Sequence, residues 1–203
     1  MFGFNMDTSR RFYLLGVAGL GASLVALSAC EQKPSFRNTD ITGADFARQF
    51  ALTDHNGKAR TLADFKGQAT IVFFGFTRCP DICPTTLAEM SEVMKQLGDD
   101  AKKVQVLFIT VDPERDTPDV LSKYVPSFHP SFLGLSGSAE QIASAAKEFK
   151  VFYQKVPGKT PESYTMDHFA GSYVFDRDNK PRLMARNGAG PEPLVADLKQ
   201  LLK

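Results

Sequence analysis

Cys79 and Cys83 stand four residues apart in Phe76-Thr77-Arg78-Cys79-Pro80-Asp81-Ile82-Cys83-Pro84, directly after a strongly apolar run. If this segment opens a helix, the spacing sets the two sulfurs on one face, about 40° apart around the axis at ~3.6 residues per turn. Two thiols so placed can chelate a soft metal or exchange electrons as a dithiol/disulfide pair. On an ideal helix their Cβ atoms lie ~5–6 Å apart, wider than the ~3.5–4.5 Å of a disulfide, so oxidation needs Cys79 to leave helical geometry. A bridging ion relaxes that demand, because sulfurs ~2.3 Å from one metal can stay further apart. Soft thiolates select copper(I), zinc or iron–sulfur chemistry. The free N–H groups of a helix start, with Arg78, favour thiolate at Cys79, and Asp81 opposes it. A purely structural disulfide is the blander reading; the prolines at 80 and 84 and the apolar strand ahead favour a presented loop instead.

The elements that must hold this pair follow from pattern. Thr70 to Phe74 and Val104 to Ile109 are β-branched and nearly continuous in apolar residues, as strands buried on both faces of a parallel sheet are. Between them Leu87, Met90, Val93, Met94 and Leu97 repeat at helical spacing, which gives a βαβ unit with the cysteines at its first strand-to-helix junction. Asn56-Gly57 predicts a small hairpin over 50–62. Thr117-Pro118 predicts a helix start, as does Ser138 with Gln141 as a capping box. Ser172 to Asp176 and Arg182 to Ala185 read as a last hairpin, followed by a helix striped by Leu194, Leu198, Leu201 and Leu202. This order resembles an α/β, thioredoxin-like fold with a central mixed sheet, an N-terminal hairpin and insertions.

Two thiolates leave a metal short of ligands. His168, in Tyr164-Thr165-Met166-Asp167-His168-Phe169-Ala170-Gly171, directly precedes the strand that in thioredoxin-like folds lies beside the cysteine loop. Thioredoxins carry a cis-proline at that approach, whereas this chain has no proline between Pro161 and Pro181. The topology therefore nominates His168 as third ligand, in a Cys2His set that also admits copper(II). Asp167 is a candidate to orient the ring. His55 and His129 read as surface-loop residues, and Asp112, Arg115 and Asp116 as an internal ion-pair and capping cluster.

The chain has 203 residues and a net charge of +1, with no basic footprint for nucleic acid. Arg10 and Arg11 precede an apolar, Gly/Ala-rich run ending in Leu27-Ser28-Ala29-Cys30. A charged start, an apolar stretch and small residues at the cut site make a secretory signal, and the last four residues resemble a bacterial lipobox. A retained membrane anchor is the competing reading; either places the domain in an oxidising compartment. The arginine pair also resembles a twin-arginine export signal. Lipidation of Cys30 would account for the odd cysteine of an exported chain. The expected organisation is a lipoprotein-type signal peptide over 1–29, a lipidated tether over 30–45 and the thioredoxin-like domain over 46–203, exported, membrane-anchored and facing the periplasm or another extracytoplasmic space.

Three segments carry a resemblance: Gly75 to Pro84 with both cysteines, Val111-Asp112-Pro113-Glu114-Arg115-Asp116-Thr117-Pro118, and Asp167-His168 followed by Tyr173-Val174-Phe175-Asp176. Together they resemble the signatures of the Sco/SenC family, membrane-tethered copper-binding proteins that help assemble the dinuclear copper centre of cytochrome c oxidase. The resemblance implies that Cys79, Cys83 and His168 hold one copper per chain, as Cu(I) or Cu(II), in a monomer whose partner is the copper-bearing oxidase subunit. Phe76 and Phe169 stand where the family often has tyrosine and serine, two departures expected not to touch the ligand set. The implied function is a metallochaperone rather than an enzyme; the alternative is a thiol:disulfide oxidoreductase that uses the redox pair Cys79 and Cys83 to keep the oxidase's cysteines reduced. A thiol peroxidase lacks its Thr-x-x-Cys arrangement, and closed structural zinc wants a fourth ligand. Replacing Cys30 with alanine is expected to leave the precursor unprocessed and free of lipid, read as mass and detergent partitioning; processing and mass unaffected by the substitution would remove the lipidation claim.

Overall fold

The computed structural model describes residues 35–160 and 163–203. The expected signal, Cys30 and the first part of the tether lie outside them. In chain order the elements are β1 (Thr39–Asp40), β2 (Ala51–Asp54), β3 (Ala59–Thr61), β4 (Ala69–Gly75), α1 (Ile82–Leu97), β5 (Val104–Thr110), α2 (Pro118–Tyr124), β6 (Leu133–Ser136), α3 (Ala139–Glu148), β7 (Tyr153–Val156), β8 (Thr165–His168), β9 (Gly171–Phe175), β10 (Pro181–Arg186) and α4 (Pro191–Leu201).

Eight strands form one mixed sheet in the order β1-β10-β9-β4-β5-β6-β2-β3. The central pairs β4/β5 and β5/β6 are parallel, while β9 runs antiparallel to β4. Every residue of β4 and of β9 is buried, which is why Thr-Ile-Val-Phe-Phe shows no polar alternation. α1 buries Leu87, Met90, Val93, Met94 and Leu97 and packs against α4. Gly98, at φ 58°, turns the chain out of α1 where a side chain would be strained. Phe149 ties the layers together, with Phe74, Tyr173, Phe175 and Phe50 rings at 5.3, 5.9, 5.9 and 6.4 Å. The architecture is a thioredoxin-like α/β fold with a central mixed sheet.

The nominated helix starts hold. Thr117 caps α2 by accepting the Val120 N–H, with Pro118 in the first turn, and Ser138 and Gln141 form the capping box of α3. The hairpin of β2 and β3 turns at Gly57, φ +83°, and its Asp54 carboxylate accepts from the Asn56 and Lys58 N–H groups and from Arg60. His55 is no solvent-facing loop residue: its Nδ1 accepts the Gly134 N–H at 3.0 Å and its own N–H donates to the Gly134 carbonyl, joining the hairpin to β6. His129 sits in a local turn, bonded to Ser131 and tilted over Phe132.

Two features depart from expectation. A separate two-stranded sheet, β7 paired with β8, ends in His168. Residues 36–45, read as tether, belong to the folded unit, which begins at Phe36. β1 pairs with β10, and the buried carboxylate of Asp197 on α4 accepts the N–H groups of Arg37 and Asn38 and the Asn38 amide, each at 2.8 Å. Three donors on one desolvated charge make this a real anchor. Asp197→Ala is expected to cost about 2–3 kcal/mol in urea unfolding and to speed hydrogen exchange at the Arg37 and Asn38 amides; unchanged exchange there would mean the segment is held by other contacts.

Candidate metal centre

Cys79 precedes Pro80, and the residue before a proline is pushed out of helical geometry. α1 accordingly begins only at Ile82, so the pair does not share one helical face as its spacing allowed. Cys83 lies in the first turn, where Pro84 also fits because that N–H has no intrahelical acceptor. Asp81, at the cap position, makes no side-chain cap bond. Instead the Cys79 sulfur accepts the Cys83 N–H at 3.4 Å. Both cysteines carry free thiols, Cys83 buried and Cys79 partly exposed.

Burial pushes the Cys83 thiol well above the usual cysteine range, and the neighbouring Cys79 adds to the rise. Desolvation here outweighs the favourable helix start, so a metal reaching Cys83 must drive off its proton. Gly75, at the end of β4, makes room for this sulfur. A Cβ there would lie 3.0 Å from Cys83 Sγ, 2.8 Å from the Phe108 ring and 3.0 Å from the Phe73 ring.

His168 arrives from β8. Its Nδ1–H donates to the Phe169 carbonyl at 2.9 Å, which leaves the Nε2 lone pair turned to the Cys83 Sγ at 3.5 Å. The ring-orienting acceptor is thus a backbone carbonyl and not Asp167. Phe73 and Phe76 meet the imidazole edge-on at 6.2 and 5.8 Å. Burial holds its pKa below the usual histidine value, against smaller opposing effects of the Phe169 carbonyl and the Asp167 charge, so the ring is kept neutral as a ligand must be. Of the two departures noted above, Phe76 therefore touches this histidine through its ring, whereas Phe169 reaches it only through a backbone carbonyl that any residue would offer. The Phe169 ring also stacks on Tyr173 at 5.7 Å and passes over Gly171, where a Cβ would clash at 2.5 Å.

The three ligand atoms of Cys79, Cys83 and His168 all lie within 4.8 Å of one another. Ligands ~2.0–2.3 Å from one ion stand roughly 3.5–4.0 Å apart in a trigonal arrangement, so the set fits one soft ion with little movement. Two thiolates and one neutral imidazole suit copper in either common oxidation state. Cys30 lies outside the described residues.

The loop after β5 holds the two halves of this centre together. Fully buried Asp116 accepts from Thr77 N–H at 3.0 Å, Thr77 Oγ1 at 2.5 Å and Thr110 Oγ1 at 2.6 Å, which fixes the cysteine segment. Burial, aided by the Asp112 charge, outweighs these donors and raises the Asp116 pKa. Asp112 pairs with Arg115 Nε and accepts the Tyr164 hydroxyl at 2.8 Å. Arg115 Nη1 donates to the Tyr164 carbonyl, and the guanidinium lies 3.5 Å from the centre of the Tyr164 ring, which fixes the histidine segment. The expected ion-pair cluster is present. Its partners Thr77 and Tyr164, like Gly75, were missed, and only their places beside the cysteine and histidine motifs could have signalled them.

Gly75→Ala tests how tightly the sulfur is seated. The added methyl is expected to cost about 1–3 kcal/mol in thermal unfolding and to weaken copper binding at least tenfold in a competitive titration; parental copper affinity would mean that the Cys83 sulfur retreats freely.

Comparison with known proteins agrees with this geometry. The family model described as SCO1/SenC matches residues 38–203. The mitochondrial SCO2 homolog of Bos taurus is 41% identical over 170 residues, covering 79% of this chain and 62% of its own length; the chain thus spans less than two thirds of that relative. A structure of Bradyrhizobium japonicum ScoI with copper bound is 48% identical and covers 76% of this chain and 98% of its own, with a TM-score of 0.71. BsSco, described as having a disulfide switch and as a member of the Sco family of cytochrome c oxidase assembly proteins, is 26% identical at a TM-score of 0.63, covering 84% of this chain and 98% of its own. By the extent of the family match and the identity to these relatives, the chain belongs to the SCO1/SenC family.

Proposed function

We propose that this protein is a copper metallochaperone: it holds one copper ion per chain on Cys79, Cys83 and His168 and passes it to the dinuclear copper site of cytochrome c oxidase. The observation that carries the reading is the convergence of two sulfurs and an imidazole nitrogen within 4.8 Å, with the nitrogen's lone pair freed by the Phe169 carbonyl. The copper-bound relative and the oxidase-assembly description of BsSco support it. Copper is cargo here. Cys79 is the less buried sulfur, so an incoming ligand from the oxidase subunit displaces it more readily than buried Cys83. The working form is a monomer, exported and tethered to a membrane by lipid on Cys30, with its domain on the extracytoplasmic side. Among the described residues no helix is long and apolar enough to cross a membrane.

The second reading, a thiol:disulfide oxidoreductase, draws on the disulfide switch of BsSco and on the free thiols here. Cys79 stands outside the helix and can close on Cys83 without unwinding it. The two readings separate at His168, because electron transfer needs the cysteines alone. Cys79→Ala and Cys83→Ala are each expected to abolish tight copper binding by the reduced protein. His168→Ala is expected to weaken copper(II) more than copper(I), since two thiolates can hold the cuprous ion linearly. In cells His168→Ala is expected to lose the oxidase copper centre nearly as fully as Cys79→Ala, with partial rescue by added copper. Normal oxidase assembly with His168→Ala, alongside a Cys79→Ala defect cured by a thiol reductant, would replace the chaperone with the reductase.

A further inference from the structure

Thr86 lies on α1 one turn beyond Cys83, is 3% exposed, and its Oγ1 meets no hydrogen-bond partner among the described residues. The usual escape of a helical threonine, a bond back to the carbonyl one turn earlier, is not made. Nδ2 of Asn187, in the turn between β10 and α4, is buried and unpartnered in the same way. Both residues line one cavity of about 20 Å³ between α1, β9 and that turn. Ser172 of β9 lines it too, 2% exposed, and its Oγ donates to Asn187 Oδ1 at 3.4 Å. Two further polar residues at the wall are engaged elsewhere, the Asn38 amide on Asp197 and the Glu89 carboxylate on the Gly188 N–H. Val93 and Leu194 contribute apolar surface.

Buried polar atoms are almost always paired, and two orphans on one cavity call for one explanation. Size and chemistry together choose the occupant. A single water needs roughly 10–15 Å³ and two to four polar partners, and this cavity offers that room and three such side chains. A polyatomic anion or an organic molecule is too large for it. A bare cation meets the Asn187 N–H head-on and finds too few oxygens for a coordination shell. Water accepts from Asn187 and exchanges hydrogen bonds with the Thr86 and Ser172 hydroxyls. Turning the Asn187 amide over swaps donor for acceptor, and water meets that orientation as well.

We propose that Thr86, Ser172 and Asn187 form a binding site for one internal water, which pins α1 to β9 and to the turn between β10 and α4. Thr86 follows Cys83 by one helical turn, and Ser172 stands opposite Phe73, whose ring meets His168. The water therefore joins the helix that presents a sulfur to the strand that follows the imidazole. The site is independent of which metal, if any, the three ligands hold.

Thr86→Val tests this by the sign of its effect, because it keeps the side chain's shape and removes only the hydroxyl. With water bound, the variant loses a hydrogen bond, and its unfolding equilibrium constant in urea is expected to rise about fivefold. In a dry cavity the same change removes an unpaired buried hydroxyl and stabilises the fold. Asn187→Ala and the double variant complete a cycle. Since both side chains hold the same water, the double variant is expected to lose clearly less than the two single losses combined. In the parent protein a long-lived water is expected to transfer magnetisation to the Val93 and Leu194 methyl groups in a water-selective nuclear Overhauser experiment, and Thr86→Val is expected to weaken that signal. A more stable Thr86→Val, additive losses in the cycle, or no water signal at either methyl group in the parent would each overturn the proposal.

Discussion

Asp116 holds a carboxylate with no solvent contact, and that group decides where the cysteine segment can lie. Its three donors come from Thr110 at the end of β5 and from Thr77 between β4 and α1, so one buried charge locks the junction from which both thiols are presented. Removing either side would strand a desolvated carboxylate or leave buried hydroxyls unpaired, a cost several times that of an exposed pair. Asp112 and Arg115, on the same loop, fasten Tyr164 and through it the approach to His168. The Val111–Pro118 segment touches no metal ligand through these bonds, yet it sets the distance between the two that come from its left and the one from its right.

The three candidate ligands are unequal. Cys83 is sealed under Gly75 and the Phe73 and Phe108 rings, while Cys79 and His168 are both half-buried, the histidine braced edge-on by Phe73 and Phe76. An apolar wall around two ligands lowers the local dielectric and keeps both uncharged until a cation arrives.

Much of this was legible in the sequence because the responsible signals are local. β4 and β5 are nearly continuous apolar runs, α1 keeps helical spacing from Leu87 to Leu97, and Thr117, Pro118, Ser138 and Gln141 mark helix starts by their own side-chain chemistry. Cys79, Cys83 and His168 stand in short segments whose residue types and order mark them as soft-metal donors. What escaped has no local signature. β6 is four residues with a glycine inside, β1 is two residues, and β7 and β8 are four-residue strands with no buried position. The Phe169 carbonyl that orients His168 belongs to the backbone, which every residue type shares, so Asp167 drew the expectation instead. Pro80 did announce that Cys79 leaves the helix, but only together with the knowledge that the helix starts beyond it.

The β7/β8 ribbon that ends in His168 shares no strand pairing with the main sheet. Two ligands are thus rooted in the rigid body of the fold and the third rides on an appendage with its own small ladder. A substitution that loosens the β7/β8 ladder would therefore act on His168 while leaving the seat of Cys79 and Cys83, and the phenylalanine-rich interior, on their own separate supports.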